Sequence, residues 1–247
     1  LEHPNIIPIH EVGELPDGDL FYAMKNVKGR SWNETIDTLS LTENLEILID
    51  VCDAIAFAHA EGVIHRDLKP ENIMTASFGE VLVLDWGLAV LTEPGSDVIT
   101  GAGGTPSFMA PEMISPPCQV GPRTDVYLLG AILFRLLTGQ PPHSGESAAT
   151  CLIAVVKNEI VTPDPEQVEQ RDPTGELLEI SLKAMATDPL DRYQTVGAFQ
   201  QAVRDFEAHR ESLTLASRAE QALETAEQHA DYTKYSEAVF GFSQAVE

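Results

Sequence analysis

Residues Val63–Asn72 read VIHRDLKPEN, six polar or ionisable side chains set directly behind an apolar pair. Solvent-exposed loops seldom need that mixture. Asp67 can accept a proton from a hydroxyl nucleophile, Lys69 can steady a transferring phosphoryl group, and Asn72 can offer an amide oxygen to a metal ion. One short loop would then hold base, cation and metal ligand. Taken alone, the residues also suit a helix end followed by a charged turn, because Pro70 breaks helices and Asp, Lys and Glu are ordinary surface residues.

Three downstream stretches decide between these readings. Apolar EVLVL runs into Asp85-Trp86-Gly87, GTPSFMAPE closes with Ala110, Pro111 and Glu112, and TDVYLLGAILFRLLTG spans 124–139. Together with the H-R-D-x-x-x-x-N pattern from His65 to Asn72, they resemble the eukaryotic-type protein kinases, and Lys69 resembles the serine/threonine branch. D-W-G, the acidic composition and the appended helices are also similar to bacterial members. The resemblance implies an α+β, two-lobed fold, of which this chain holds mostly the helical large lobe, the hinge and the last small-lobe strands. It implies ATP and magnesium as cofactors and a protein hydroxyl on Ser or Thr as acceptor. Asp67, Lys69, Asn72 and Thr105 would be catalytic. Asn72 and Asp85 would hold the metal, and Met24, Val27, Met74 and Lys69 would meet the nucleotide. Thr105 would contact Asp67 and Lys69, and Arg192 would pair with Glu112. A phosphate on Thr92, Ser96 or Thr100 would pair with Arg66.

Composition narrows the alternatives. With 247 residues and 43% hydrophobic content the chain can bury a large core. A formal charge of -24 argues against nucleic acid as partner, because phosphate backbones are held by an excess of Lys and Arg. Cys52, Cys118 and Cys151 lack metal-ligand spacing and suit a reducing, cytoplasmic setting. No apolar run approaches the ~18 residues needed to cross a bilayer, and no secretory leader is present. The chain starts at Leu1 rather than Met and is expected to be an excerpt, so a membrane tether outside it stays open. No glycine loop or strand lysine precedes the hinge, and residues 1–247 alone are expected not to transfer phosphate.

Along the chain, Ile6–Val12 and Leu20–Val27 read as strands joined by a turn at Pro16, Asp17 and Gly18. The resemblance makes Met24 a gatekeeper and Val27 a backbone contact to adenine. SWNETIDTLS reads as a connection, and Leu41–Ala60 as an amphipathic helix capped by Thr42 or Asn44 and stopped at Gly62. His59 reads as a packed helix residue. Ile73 and Met74 open one strand and EVLVL forms another, turning at Phe78 and Gly79. Val90–Gly104 reads as a mobile loop. Residues 124–139 form a helix buried on most sides, with Asp125 either anchoring the Val63–Asn72 loop or capping the helix. Ala148–Lys157 is helical, and a proline-rich, acidic connection follows it. Two amphipathic helices then flank a turn at Asp188 and Pro189.

The expected domains are 1–28 (partial small lobe and hinge), 29–206 (large lobe) and 207–247 (a helical extension). Tyr232, Tyr235, Ala238 and Phe242 hint at a tetratricopeptide-like repeat in the extension, and a plain coiled or capping extension fits equally. Protein partners could dock there. A kinase-like scaffold without catalysis remains the main alternative to an enzyme, and a small-molecule kinase is a third reading that Lys69 and the A-P-E stretch disfavour.

Overall fold

The computed structural model describes residues 1–15, 20–93, 95–229 and 232–246. They fall into two units, Leu1–Gln200 and Gln201–Glu247. The expected turn at residues 16–18 lies outside the described residues, as do the side chains of Tyr232, Tyr235 and Ala238.

The first unit opens with an antiparallel pair, β1 (Ile9–Glu14) and β2 (Leu20–Met24). The first strand starts three residues later than its apolar pattern predicts. Residues 5–7 are taken instead by a more distant strand, through Val83 N–H to Asn5 O at 2.8 Å and Ile7 N–H to Val83 O at 3.1 Å. Ile6 and Ile7 are buried there.

The expected connection at 31–40 is ordered. Strand β3 (Gly29–Ser31) leads into it, and it holds a one-turn helix, α1 (Trp32–Thr35), with Trp32 fully buried. Its indole N–H donates to Asn44 Oδ1 at 2.7 Å, and Asn44 Nδ2 donates to the carbonyls of Ile36, Leu39 and Ser40. Asn44 is therefore not a helix cap. Helix α2 (Leu41–Ala60) is capped by Ser40, whose Oγ accepts from Glu43 N–H while Glu43 Oε2 accepts from Ser40 N–H at 2.8 Å. That reciprocal pair satisfies two of the donors a helix start leaves open. Gly62, at φ +72°, ends the helix as the sequence predicts.

Next come β4 (Val63–Ile64), β5 (Ile73–Ala76) and β6 (Val81–Val83). Strands β3, β5 and β6 form one antiparallel sheet with β5 central, placing Met74 opposite Ser31 on one side and Leu82 on the other. The segment read as a mobile loop is pinned twice. Strand β7 (Val90–Leu91) pairs with β4, and β8 (Val98–Ile99) pairs with β9 (Gln119–Val120). Such two-residue pairings carry too little periodicity to be visible in sequence.

The large helical part centres on α3 (Pro122–Thr138), in which every residue from Thr124 to Phe134 is buried. Each fully buried Leu, Ile or Phe contributes roughly 1.5–3 kcal/mol, so this helix is a principal source of stability. Pro122 suits its first turn, and Gly139 at φ +72° ends it. Gly130 admits a neighbouring helix. A Cβ there would lie 2.6 Å from Ala184 Cβ, and Ser181 Oγ donates to Gly130 O at 3.0 Å. Helix α4 (Ala148–Lys157) occupies the predicted span. The proline-rich, acidic stretch after it holds a further helix, α5 (Pro165–Arg171), started by Asp164. Helix α6 (Glu176–Ala184) and the start of α7 (Val196–His229) follow.

In the second unit, α7 runs on to His229 and is followed by α8 (Tyr232–Val246). Gly241 of α8 meets Ala219 of α7, since a Cβ at 241 would come within 2.9 Å of Ala219 Cβ. No helix among the described residues is long and apolar enough to cross a membrane.

Candidate active site

The loop between β4 and β5 is held from below by one carboxylate. Asp125, fully buried in the first turn of α3, accepts from His65 N–H at 2.8 Å and from Arg66 N–H at 2.9 Å. This is the anchoring role, and helix capping falls to Gly121 and Thr124. Arg66 sits at φ +72°, a conformation costly for a side chain of its size and kept here because both flanking amides are tied down. A third donor reaches Asp125 from α2, with His59 Nε2 2.7 Å from Oδ2. Burial works against the charge on Asp125. The His59 hydrogen bond and charge, with the Arg66 amide, outweigh it and hold the carboxyl below its ordinary value. His59 was legible only as a packed histidine, because its partner lies 66 residues downstream.

Above this anchor the three predicted loop residues converge. Lys69 Nζ lies 3.0 Å from Asp67 Oδ2 and 2.6 Å from Thr105 Oγ1, and Thr105 donates to Asp67 Oδ1 at 2.7 Å. Asn72 Nδ2 donates to Asp67 O at 2.8 Å and to Asp67 Oδ2 at 3.1 Å. With its nitrogen so used, the Asn72 oxygen is the atom left for a metal. His65 fixes the backbone of the same loop. Nε2–H donates to Leu84 O at 3.1 Å while Nδ1 accepts from Asp67 N–H at 3.2 Å. That pattern requires the neutral ring, and burial lowers the His65 pKa in agreement.

Asp85 follows β6 in the left-handed region, at φ +53°, and accepts from Gly87 N–H at 3.3 Å. It is brought beside Asn72 by the bond from Leu84 N–H to Asn72 O, 2.8 Å. Trp86 lies against His65 at 4.6 Å between ring centroids, so the aromatic at this position packs on the loop itself. Both donors, a carboxylate and an amide, offer oxygen, the donor type that magnesium takes. No group of three or more His, Cys, Asp or Glu suited to a metal occurs among the described residues. A hard cation here would therefore be completed by oxygens from phosphate or water.

The residues expected to meet the nucleotide are less tightly assembled. Met24 ends β2 and is 44% exposed, Val27 lies between β2 and β3, and Met74 sits in the middle sheet. No hydrogen bond or strand pairing joins Met24 or Val27 to Met74 among the described residues.

One further expected pairing is present. Arg192 grips Glu112 through both oxygens, at 2.7 and 2.8 Å. Arg66 donates to Leu88 O at 3.1 Å and to Gly101 O at 2.7 Å. Of the three candidate hydroxyls, Thr100 shares that acceptor, donating to Gly101 O at 3.0 Å, while Thr92 is turned to Ser96 O.

Comparison with known proteins agrees with this architecture. The profile of the family described as Protein kinase domain matches residues 1–204. Similar proteins include serine/threonine-protein kinase PknB of Mycolicibacterium smegmatis, 37% identical over 204 residues, covering 79% of this chain and 32% of that protein. PknB of Mycobacterium tuberculosis is 34% identical with the same coverage. Serine/threonine-protein kinase PknD of Chlamydia abortus is 31% identical over 242 residues, or 85% of this chain and 25% of that protein. The chain thus spans about a third or less of the length of these relatives. With a profile match over residues 1–204 and relatives of 34–37% identity, this chain belongs to the protein kinase domain family.

Proposed function

We propose that the complete protein is a serine/threonine protein kinase that moves the γ-phosphoryl group of ATP to a protein hydroxyl. The observation that carries this reading is the closed triangle of Asp67, Lys69 and Thr105, each within 3.0 Å of the others. The names of the similar proteins support the same reading.

The Asp67 carboxylate orients the acceptor hydroxyl and takes its proton as the new O–P bond forms. Thr105 and Asn72 hold that carboxylate from two sides, so its direction is set before substrate arrives. Lys69, the cation nearest to Asp67, offsets charge on the moving phosphoryl group. Asn72 and Asp85 would hold magnesium, which when bound neutralises phosphate charge. Met24, Val27 and Met74 would line the adenine side. Cytoplasmic location and docking of protein partners through the helical extension 207–247 belong to the same proposal.

The test is phosphate transfer from radiolabelled ATP to a Ser/Thr peptide by the complete protein, beside its Asp67→Asn variant. Removal of a general base typically costs about 10²–10⁴-fold in rate. The melting temperature is read beside the rate to separate lost chemistry from lost fold, since asparagine keeps the shape and an acceptor for Thr105 but replaces the oxygen that accepts from Lys69 and Asn72. Equal rates for the two proteins would end the assignment of Asp67.

A further inference from the structure

Residues 101–104 read Gly-Ala-Gly-Gly, and the three glycines lose more conformational freedom on ordering than any other residue type would. Yet this run delivers Thr105 to Asp67 and Lys69, so the chain before it must be held in place. The ladder there is small. Strand β8 gives two residues to β9, Ile99 is 68% exposed, and one further bond runs from Thr100 N–H to Cys118 O at 3.1 Å. Two paired strands of that size are marginal without added contacts.

The residue before the ladder supplies those contacts. Asp97 Oδ2 accepts from Arg123 Nη2 in the first turn of α3 and from Gln119 Nε2 in β9, both at 3.3 Å. The other oxygen, Oδ1, lies over Gly121, where a Cβ would overlap it, so the carboxylate reaches the start of α3 only because residue 121 has no side chain. A negative charge is favoured at that end of a helix. Arg123 Nη1 is steadied on Gln194 Oε1 at 3.3 Å, and the Asp97 and Arg123 side chains are each about three-quarters enclosed. Beyond the ladder, Arg66 Nη2 donates to the Gly101 carbonyl at 2.7 Å. The segment is thus fastened at Asp97, Thr100 and Gly101 before it reaches Thr105, by groups that need no modification. The donor left for a phosphate is Arg66 Nε, buried without a partner among the described residues. A phosphate there would tighten a segment already docked.

We propose that Asp97 is a built-in anionic pin. Paired with Arg123 and Gln119 against the start of α3, it docks the segment that carries Thr105, without phosphate on Thr92, Ser96 or Thr100. The inference concerns regulation of the proposed kinase site and takes its functional meaning from that reading, whereas its test does not. An ion pair of this exposure shifts a local opening equilibrium about two- to fivefold.

Hydrogen exchange of the phosphatase-treated, full-length protein reads the pin at the Thr100 amide. The Thr92 amide, which donates to Gly62 O at 2.8 Å beside the β4–β7 pairing, is the internal control. In the wild type, Thr100 should exchange at least about tenfold more slowly than an unstructured chain. Asp97→Asn keeps the shape and loses the charge, so it should speed exchange at Thr100 about two- to fivefold and leave Thr92 unchanged. Raising salt from ~0.01 to ~1 M shortens the screening length from about 30 to about 3 Å, and should reproduce part of that loss in the wild type and none of it in Asp97→Asn. The Asp97→Asn/Arg123→Gln double variant should lose less than the sum of the single losses. Exchange of Thr100 at the unstructured rate before any phosphorylation would overturn the pin. Equal protection in wild type and Asp97→Asn, a salt response that survives in that variant, or additive losses in the double variant would do the same. Each readout is independent of phosphate transfer, so the proposed activity and the pin can fail separately.

Discussion

Replacing Arg192 with alanine is the most demanding test of the large lobe, because the residue joins three segments through one guanidinium. It bonds both oxygens of Glu112 at 2.7 and 2.8 Å, and donates to Ala186 O at 2.8 Å, Arg123 O at 2.9 Å and Thr187 O at 3.3 Å. Arg192 is 3% exposed, so solvent cannot replace those partners. Truncation strands the Glu112 carboxylate, itself largely enclosed, together with three carbonyls. Breaking one side of a buried pair of this kind costs about 3–5 kcal/mol. For a folded unit of this size each kcal/mol moves Tm by about 2–4 °C, which gives a fall of roughly 6–20 °C. Chemical denaturation should show the same loss with an unchanged m-value. Two controls isolate the cause. Arg192→Lys keeps the charge but not the two-pronged geometry and should lie between wild type and alanine. The Arg192→Ala/Glu112→Ala double variant should lose less than the sum of the single losses, since no orphan charge remains. A Tm within 2 °C of wild type for Arg192→Ala would refute the reasoning.

Three other outcomes are expected. Trp32→Ala removes a fully buried indole and orphans Asn44, so it should destabilise by about 3–5 kcal/mol in urea melts, although it lies in a stretch without sequence pattern. Asp125, whose carboxyl is held below its ordinary value, should contribute stability above the unfolded-state value and lose it as pH falls through the folded-state value. Asp125→Asn should therefore flatten that part of an acid titration followed by circular dichroism, at some loss of stability at pH 7. In the complete protein, Thr105→Val should lower kcat by at least about tenfold while Thr105→Ser largely restores it, because only the hydroxyl can bridge Lys69 and Asp67.

The spans of α2 and α4 were legible to the residue, since burial of one helix face demands regular spacing, and α3 was legible to within two residues from its continuous apolar run. The meeting of Asp67, Lys69 and Asn72 in VIHRDLKPEN was legible too, because residues of one short loop must lie close together. What failed in sequence was everything short or held by a distant partner. Residues 31–40 are ordered by Trp32 against Asn44, β7 and β8 are two-residue pairings with partners elsewhere, and α5 is a two-turn helix in polar sequence. The cap of α2 was misplaced by one turn because Thr42 and Asn44 are equally good capping types, and only packing shows that Asn44 is needed inside.

By itself, then, the sequence determined the family and the order of its parts, and it singled out Asp67, Lys69, Asn72, Asp85 and Thr105 as candidates. Tertiary structure alone decided how they are held. Asp125 reaches back some 60 residues to the loop amides, and His59 reaches forward to Asp125. The buried row of His143, Tyr127 and Asn158 likewise forms only because the chain brings them together. Local chemistry is written in adjacent residues, whereas buried hydrogen bonds between distant ones come into being only when the chain folds and water is removed.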